Sequence, residues 1–276
     1  MKARFAGLSR HAFLVMMSVV TLIPLGFTFL TSLKYLRDIV SGDLSFTPTL
    51  FNYQELFAGS RGIFGRLLWN SLVTGLGSAF LVLFVGTLAA YSLSRFRWRR
   101  LVTSLVLGWL LFVNMLPHIV FVGPYYLLSR RLLLYDTPLA VILAHMVFNM
   151  PLAVWMLQDF FREIPHELEE AALVDGCNQI QSFWRIILPI ARPGLAATAI
   201  LMFVFSWNEF LFALSLTNTP NANTLPVGIA SFVQEHNIRY GEMAAASFLA
   251  TIPALVMVFF AQRQIVRGLT LGALKG

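Results

Sequence analysis

Polar side chains are scarce in this sequence, so the few that interrupt its long apolar runs are the places to look for chemistry. They are Asn114, His118, His145, Asn149, Trp207, Asn208 and Glu209. Holding an amide, an imidazole or a carboxylate away from water costs free energy, so such groups mark a solute or ion path by default. The alternative is that they satisfy one another between helices, with Trp207 anchoring a lipid interface. Glu209 is the one acid inside a predicted span, which leaves the proton or ion relay of a stand-alone secondary transporter or channel a single group to work with. An enzyme has less: no HExxH, no clustered acids and no Ser/His/Asp grouping falls in the apolar runs, so no catalytic residue is assigned. The five histidines, at 11, 118, 145, 166 and 236, lack helical pairing, and Cys177 stands alone, so neither a metal site nor a disulfide framework is indicated. None of the three lysines, Lys2, Lys34 and Lys275, follows a glycine, so the usual phosphate-cradling loop is missing.

The elements that position these groups are membrane helices. Of the 276 residues 58% are hydrophobic and 12% charged, about half the charged share of a soluble domain, so the apolar surface needs lipid as its solvent. A helix satisfies its own backbone and crosses with about 20 apolar residues. Six stretches qualify: 12–33, 67–94, 101–129, 137–158, 193–215 and 243–262. The first is longer than the core of a secretory signal and has no small-residue cleavage site after it, so it is kept as a helix. Gly75, Gly77, Gly86, Pro117 and Pro151 within the runs suit close packing and kinks, or reflect their ordinary frequency in membrane helices. The predicted class is an all-α polytopic membrane protein.

The net charge of +7 is spread in short clusters between apolar runs, not in a patch interleaved with aromatics, which argues against nucleic acid. One side of a six-span arrangement collects Lys2, Arg4, Arg10, Arg95, Arg97, Arg99, Arg100, Arg162, Arg185, Arg192, Arg263, Arg267 and Lys275, 13 in all. The other collects seven: Lys34, Arg37, Arg61, Arg66, Arg130, Arg131 and Arg239. This bias predicts that both termini and the loop 159–192 are cytoplasmic.

That loop is too long for a connection and too patterned for a disordered one. Pro165, the acids Glu167, Glu169 and Glu170, and Gly176 as a terminator predict a short helix over 165–175. Ile180, Phe183, Trp184 and Ile187 then fall at i, i+3, i+4 and i+7, one apolar face of a second helix that Pro189 stops. Ala171 and Ala172 leave a low surface that another protein could approach closely; equally, the hairpin could lie in the headgroup layer as an anchor.

Glu170-Ala171-Ala172, three residues, Gly176, nine residues, then Ile186-x-Leu188-Pro189 resembles the EAA loop of binding-protein-dependent ABC importer permeases. Four groups at fixed separations over 20 residues make a specific signal. The resemblance extends along the chain to the carbohydrate-uptake branch, on the side of the maltose-type second permease, through FNYQELF (51–57), NSLVTGL (70–76), LAAYSLSRF (88–96), SWNEF (206–210), TLPVGIA (224–230) and RGLTLGALKG (267–276). Cys177 replaces the small or apolar residue usual after the motif glycine.

The resemblance implies a type I ABC importer permease fold, with residues 1–276 forming one transmembrane domain in the bacterial cytoplasmic membrane. It implies a coupling helix that seats on a separate ATPase subunit through Glu169, Glu170, Ala171, Ala172, Asp175 and Gly176. It implies a second related permease, two ATPase subunits that bind ATP and Mg in place of any cofactor in this chain, and an extracytoplasmic solute-binding protein meeting segments 34–66 and 216–242. The expected cargo is a sugar or sugar-derived solute, for which Asn114, His118, His145, Asn149, Trp207, Asn208 and Glu209 offer amides and aromatic faces.

Overall fold

The computed structural model describes residues 2–43, 45–58, 62–234 and 237–273, with side chains from 10 to 233 within those limits and from 238 to 260. Arg61, His236 and Lys275, the end of the 267–276 stretch, and the side chains of Lys2, Arg4, Arg263 and Arg267 lie outside them. The chain divides into two compact units, Met1–Gly65 with Gly228–Pro253, and Arg66–Val227 with Ala254–Gly276.

The first unit contains α1 (Lys2–Ser32), α2 (Leu36–Ser41) and α3 (Phe51–Ala58). The most apolar window of α1 has none of its residues buried. The turn after it is fixed by Asn52, whose Nδ2 donates to Ser32 O at 2.8 Å and Lys34 O at 2.9 Å. Lys34, itself buried, donates to Asp43 O and lies over the Phe46 ring.

The second unit is built on α4 (Phe64–Arg95), α5 (Arg100–Met115), α6 (Ile119–Arg131) and α7 (Pro138–Glu163). The loop helices α8 (Glu167–Val174), α9 (Gln179–Ser182) and α10 (Leu188–Ile190) follow, then α11 (Arg192–Asn208), α12 (Leu211–Leu216) and α13 (Leu225–Ala230). Gly75 and Gly77 leave room on α4 for Phe203 and Ile142, and Gly86 for Met150, Ala153 and Val154, so α7 and α11 pack close to its backbone. A two-residue antiparallel pair, β1 (Val233–Gln234) with β2 (Asn237–Ile238), precedes the last helix, α14 (Tyr240–Ala273), and is the one departure from an all-α chain among the described residues.

Four helices are long and apolar enough to span a membrane, and two bent pairs raise the count to six among the described residues. The spans predicted at 12–33, 67–94, 137–158 and 243–262 lie inside α1, α4, α7 and α14, apart from Leu33 and the residue Thr137 that caps α7. The other two are corrected. Residues 101–129 are not one helix: the chain bends by 100° between α5 and α6, because Pro117 forces Leu116 into extended backbone at φ −77° and ψ 136°. Residues 193–215 are not one helix either: α11 ends at Asn208, Glu209 is extended, and α12 restarts at Leu211.

The loop helices also differ from expectation. α8 starts at Glu167, two residues beyond Pro165. Pro189 does not stop the second helix; residues Phe183–Ile187 widen into a π turn, and the missing proline N–H is absorbed within the helical run to Ile190. That widening rotates the predicted face apart, so Phe183 and Ile187 are buried while Ile180 and Trp184 are exposed.

Candidate solute pathway and coupling loop

The break between α11 and α12 is closed by the side chain that marks it. Glu209 Oε1 accepts from Phe212 N at 2.9 Å and Oε2 from Ala213 N at 3.2 Å, satisfying two N–H groups that the restarted helix would leave free. Its Oε2 also meets His145 Nε2 at 2.8 Å. Because a carboxylate oxygen accepts, Nε2 is the donor in this contact. Nδ1 is buried without a partner among the described residues, on a side chain 1% exposed.

Around this pair lies a cavity of about 370 Å³ lined by Asn114, His118, His145, Phe148, Asn149, Leu152, Phe205, Glu209 and Phe212. Four elements and two helix breaks meet there. The Pro117 bend sets His118 at the start of α6, where its ring packs 4.6 Å from Phe148. Phe148 and Phe212 stack at 4.8 Å across α7 and α12. Asn149 Nδ2 donates to Ser206 Oγ at 3.0 Å, and Ser78 Oγ donates to the same atom at 2.6 Å, tying α7, α11 and α4 together beside the cavity.

Five of the seven pathway candidates therefore line one cavity. The other two do not: Trp207 is buried and stacked on Phe203, and Asn208 is exposed and bonded back to Val204 O. Ser78 and Ser206 were not anticipated, since serine within an apolar run is ordinary and only the crossing of two helices gives it a partner.

Beyond the cavity, residues 217–225 are pinned to neighbouring elements. Asn70 Nδ2 donates to Pro220 O and Asn223 O, and Ser71 Oγ accepts from Leu225 N. Asp136, in the left-handed region at φ 61°, accepts from Asn218 N at 2.8 Å, Thr219 N at 3.0 Å and Thr219 Oγ1 at 2.8 Å. Partial desolvation pushes its carboxyl up, but these three hydrogen bonds outweigh it and hold the group below the usual carboxylate range.

At the other end of α4 and α7 lies the loop. Arg95, the last residue of α4, has a side chain 2% exposed; its Nε meets Glu169 Oε1 at 2.8 Å and its Nη2 donates to Ile164 O at 2.8 Å. Tyr91 packs between Phe161 and Phe183 in the same core. Gly176 terminates α8 in the left-handed conformation, φ 86°, and Cys177 N bonds back to Ala172 O at 2.9 Å. An Asn178/Gln181 capping box then starts α9; the N-x-x-Q spacing is the signal that would have found it.

The six coupling candidates split between two faces. Glu169 is held by Arg95, and Ala172 is buried. Glu170, Ala171, Asp175 and Gly176 are exposed, with Leu173 at 45% and Val174 at 87% exposure beside them. Val174 was missed because its contribution comes from facing outward, which the spacing of one turn does not specify.

Residues 82–271, which hold both the cavity and the loop, match the model of the binding-protein-dependent transport system inner membrane component family. The chain belongs to that family. This permease is 40% identical over 258 residues to the trehalose transport system permease protein SugB of Mycobacterium tuberculosis, covering 92% of this chain and 93% of that protein. It is 35% identical over 268 residues to the trehalose/maltose transport system permease protein MalG of Thermococcus litoralis, covering 95% and 94%. A chain in the crystal structure of a bacterial ABC transporter that imports the acidic polysaccharide alginate superposes with a TM-score of 0.77 at 21% identity, covering 94% of this permease and 96% of that chain. The fold is that of an ABC importer permease, and the chain is a multi-pass membrane protein.

Proposed function

We propose that this permease translocates a sugar or sugar-derived solute, handed to it by an extracytoplasmic binding protein, through a pathway shared with a second related permease. In this reading two ATPase subunits bind ATP and Mg and supply the energy, this chain carries no cofactor, both termini are cytoplasmic, and residues 1–276 work as one transmembrane domain. The observation that carries it is the face of α8: Glu170, Ala171, Val174 and Asp175 point outward from a short helix whose other side is fixed by Arg95. An exposed apolar and acidic surface on a helix that cannot swing freely suits docking to a moving partner.

The cavity supports the cargo class. Phe148, Phe205 and Phe212 offer apolar ring faces, Asn114 and Asn149 offer amides, and His145 Nδ1 is a buried polar atom left for a solute hydroxyl to pair with. Its volume admits one sugar ring with hydration rather than an extended chain. Asn114, His118, His145, Asn149 and Glu209 are accordingly assigned to the pathway, and Trp207 and Asn208 to its support.

Coexpression with its ATPase and reconstitution in liposomes test the reading. A Glu170→Arg chain is expected to insert normally and to lose most ATP-coupled uptake. Uptake at the wild-type level would remove α8 from the docking role, and uptake by the isolated chain under an ion gradient would replace an ATP-driven importer with a stand-alone transporter.

A further inference from the structure

Arg95 is the meeting point of three elements rather than a member of a surface charge cluster. It is the last residue of α4, it holds Glu169 in the first turn of α8, and it holds the carbonyl of Ile164, the residue that ends α7. The side chain reaches both: its charge lies against the Glu169 carboxylate at 2.8 Å, and Nη2 donates to the Ile164 carbonyl. Both α4 and α7 are single helices from there to the cavity, α7 with Pro151 inside it. Ser78 lies 17 residues before Arg95 and Asn149 lies 15 before Ile164, about 26 Å and 22 Å along a helix. There both helices bond to one atom, Ser206 Oγ of α11.

The covalent route from α8 to the cavity is softer. It passes through Gly176, a π turn and a 73° bend before α11 begins. From this contrast we propose that Arg95 is the positioning residue through which displacement of α8 reaches the cavity, with α4 and α7 as rods and the Ser78–Ser206–Asn149 trio as the receiving joint. The proposal rests on the importer reading, because it requires an ATPase to move α8.

The test uses the whole reconstituted importer and measures solute imported per ATP hydrolysed. Arg95→Ala is expected to lower that ratio about tenfold, with ATPase copurification undiminished. Arg95→Lys, which keeps a charge beside Glu169 but has no second nitrogen to bond the Ile164 carbonyl, is expected to fall between wild type and Arg95→Ala. If Arg95→Ala does not insert, Arg95→Lys and Glu169→Gln decide by the same ratio. An unchanged ratio in these variants overturns the proposal, and so does a loss of ATPase copurification in step with import, which would make Arg95 only a scaffold for the docking face. A wild-type complex that imports without consuming ATP would instead overturn the importer reading beneath it.

Discussion

Glu169 and Glu209 are paired in opposite ways. At the loop, Glu169 meets the guanidinium of Arg95, and the pair joins helices that are otherwise complete. At the cavity, Glu209 meets His145 and spends its other bonds on the free N–H groups of a broken helix. The first arrangement suits a joint that must hold its shape under load. The second gives the cavity a polar wall at a helix break, as the proposed pathway requires.

Removing the Glu209 side chain should have the largest effect, because it unpairs His145 and strips the cap from α12 together. Glu209→Ala is expected to destabilise the chain by about 3 kcal/mol, and Glu209→Gln, which keeps one acceptor oxygen, by less than half of that, read as thermal unfolding in detergent. Equal losses would mean that shape rather than charge and capping matters.

Asp136 extends the comparison to pH. Its folded-state carboxyl titrates below the ordinary value, so its stabilising contribution is complete above the unfolded carboxylate value near about 4 and is lost as pH falls through the lower folded one. The difference in thermal midpoint between wild type and Asp136→Ala should therefore be widest at neutral pH and narrow on acidification. A constant gap would show that packing, not the anion, is what residues 218 and 219 require. At the loop the smallest effect is expected from Asn178→Ala, about 1 kcal/mol for a lost helix cap, with ATP-coupled uptake retained; a large transport defect would show that α9 takes part in docking.

The membrane helices and the loop pattern were legible because each rests on local information. Apolar length fixes α1, α4, α7 and α14, and the spacing from Glu170 to Pro189 fixes the loop. The two helix breaks were not legible, because hydropathy averages over residues that remain apolar when the backbone bends: Pro117 reads as a kink and Glu209 as one acid near a span end. Trp207 and Asn208 stay in α11, where residues one and two apart point to different sides, so neither lines the cavity that Glu209 reaches. Arg95 was read as part of a topology signal and of the LAAYSLSRF stretch but not as a partner of Glu169, which is 74 residues away with no local rule to connect them.

None of the most apolar window of α1 is buried within the chain. Its composition therefore answers to whatever solvates it, lipid or a neighbouring subunit, and not to side-chain fit within the chain. Natural variation there should trade Leu, Ile, Val, Phe and Met freely while refusing charge, whereas at Gly75 and Gly77 of α4 an added Cβ would come within 3.0 Å of Phe203 and 2.9 Å of Ile142, so a larger residue there requires those side chains to shift.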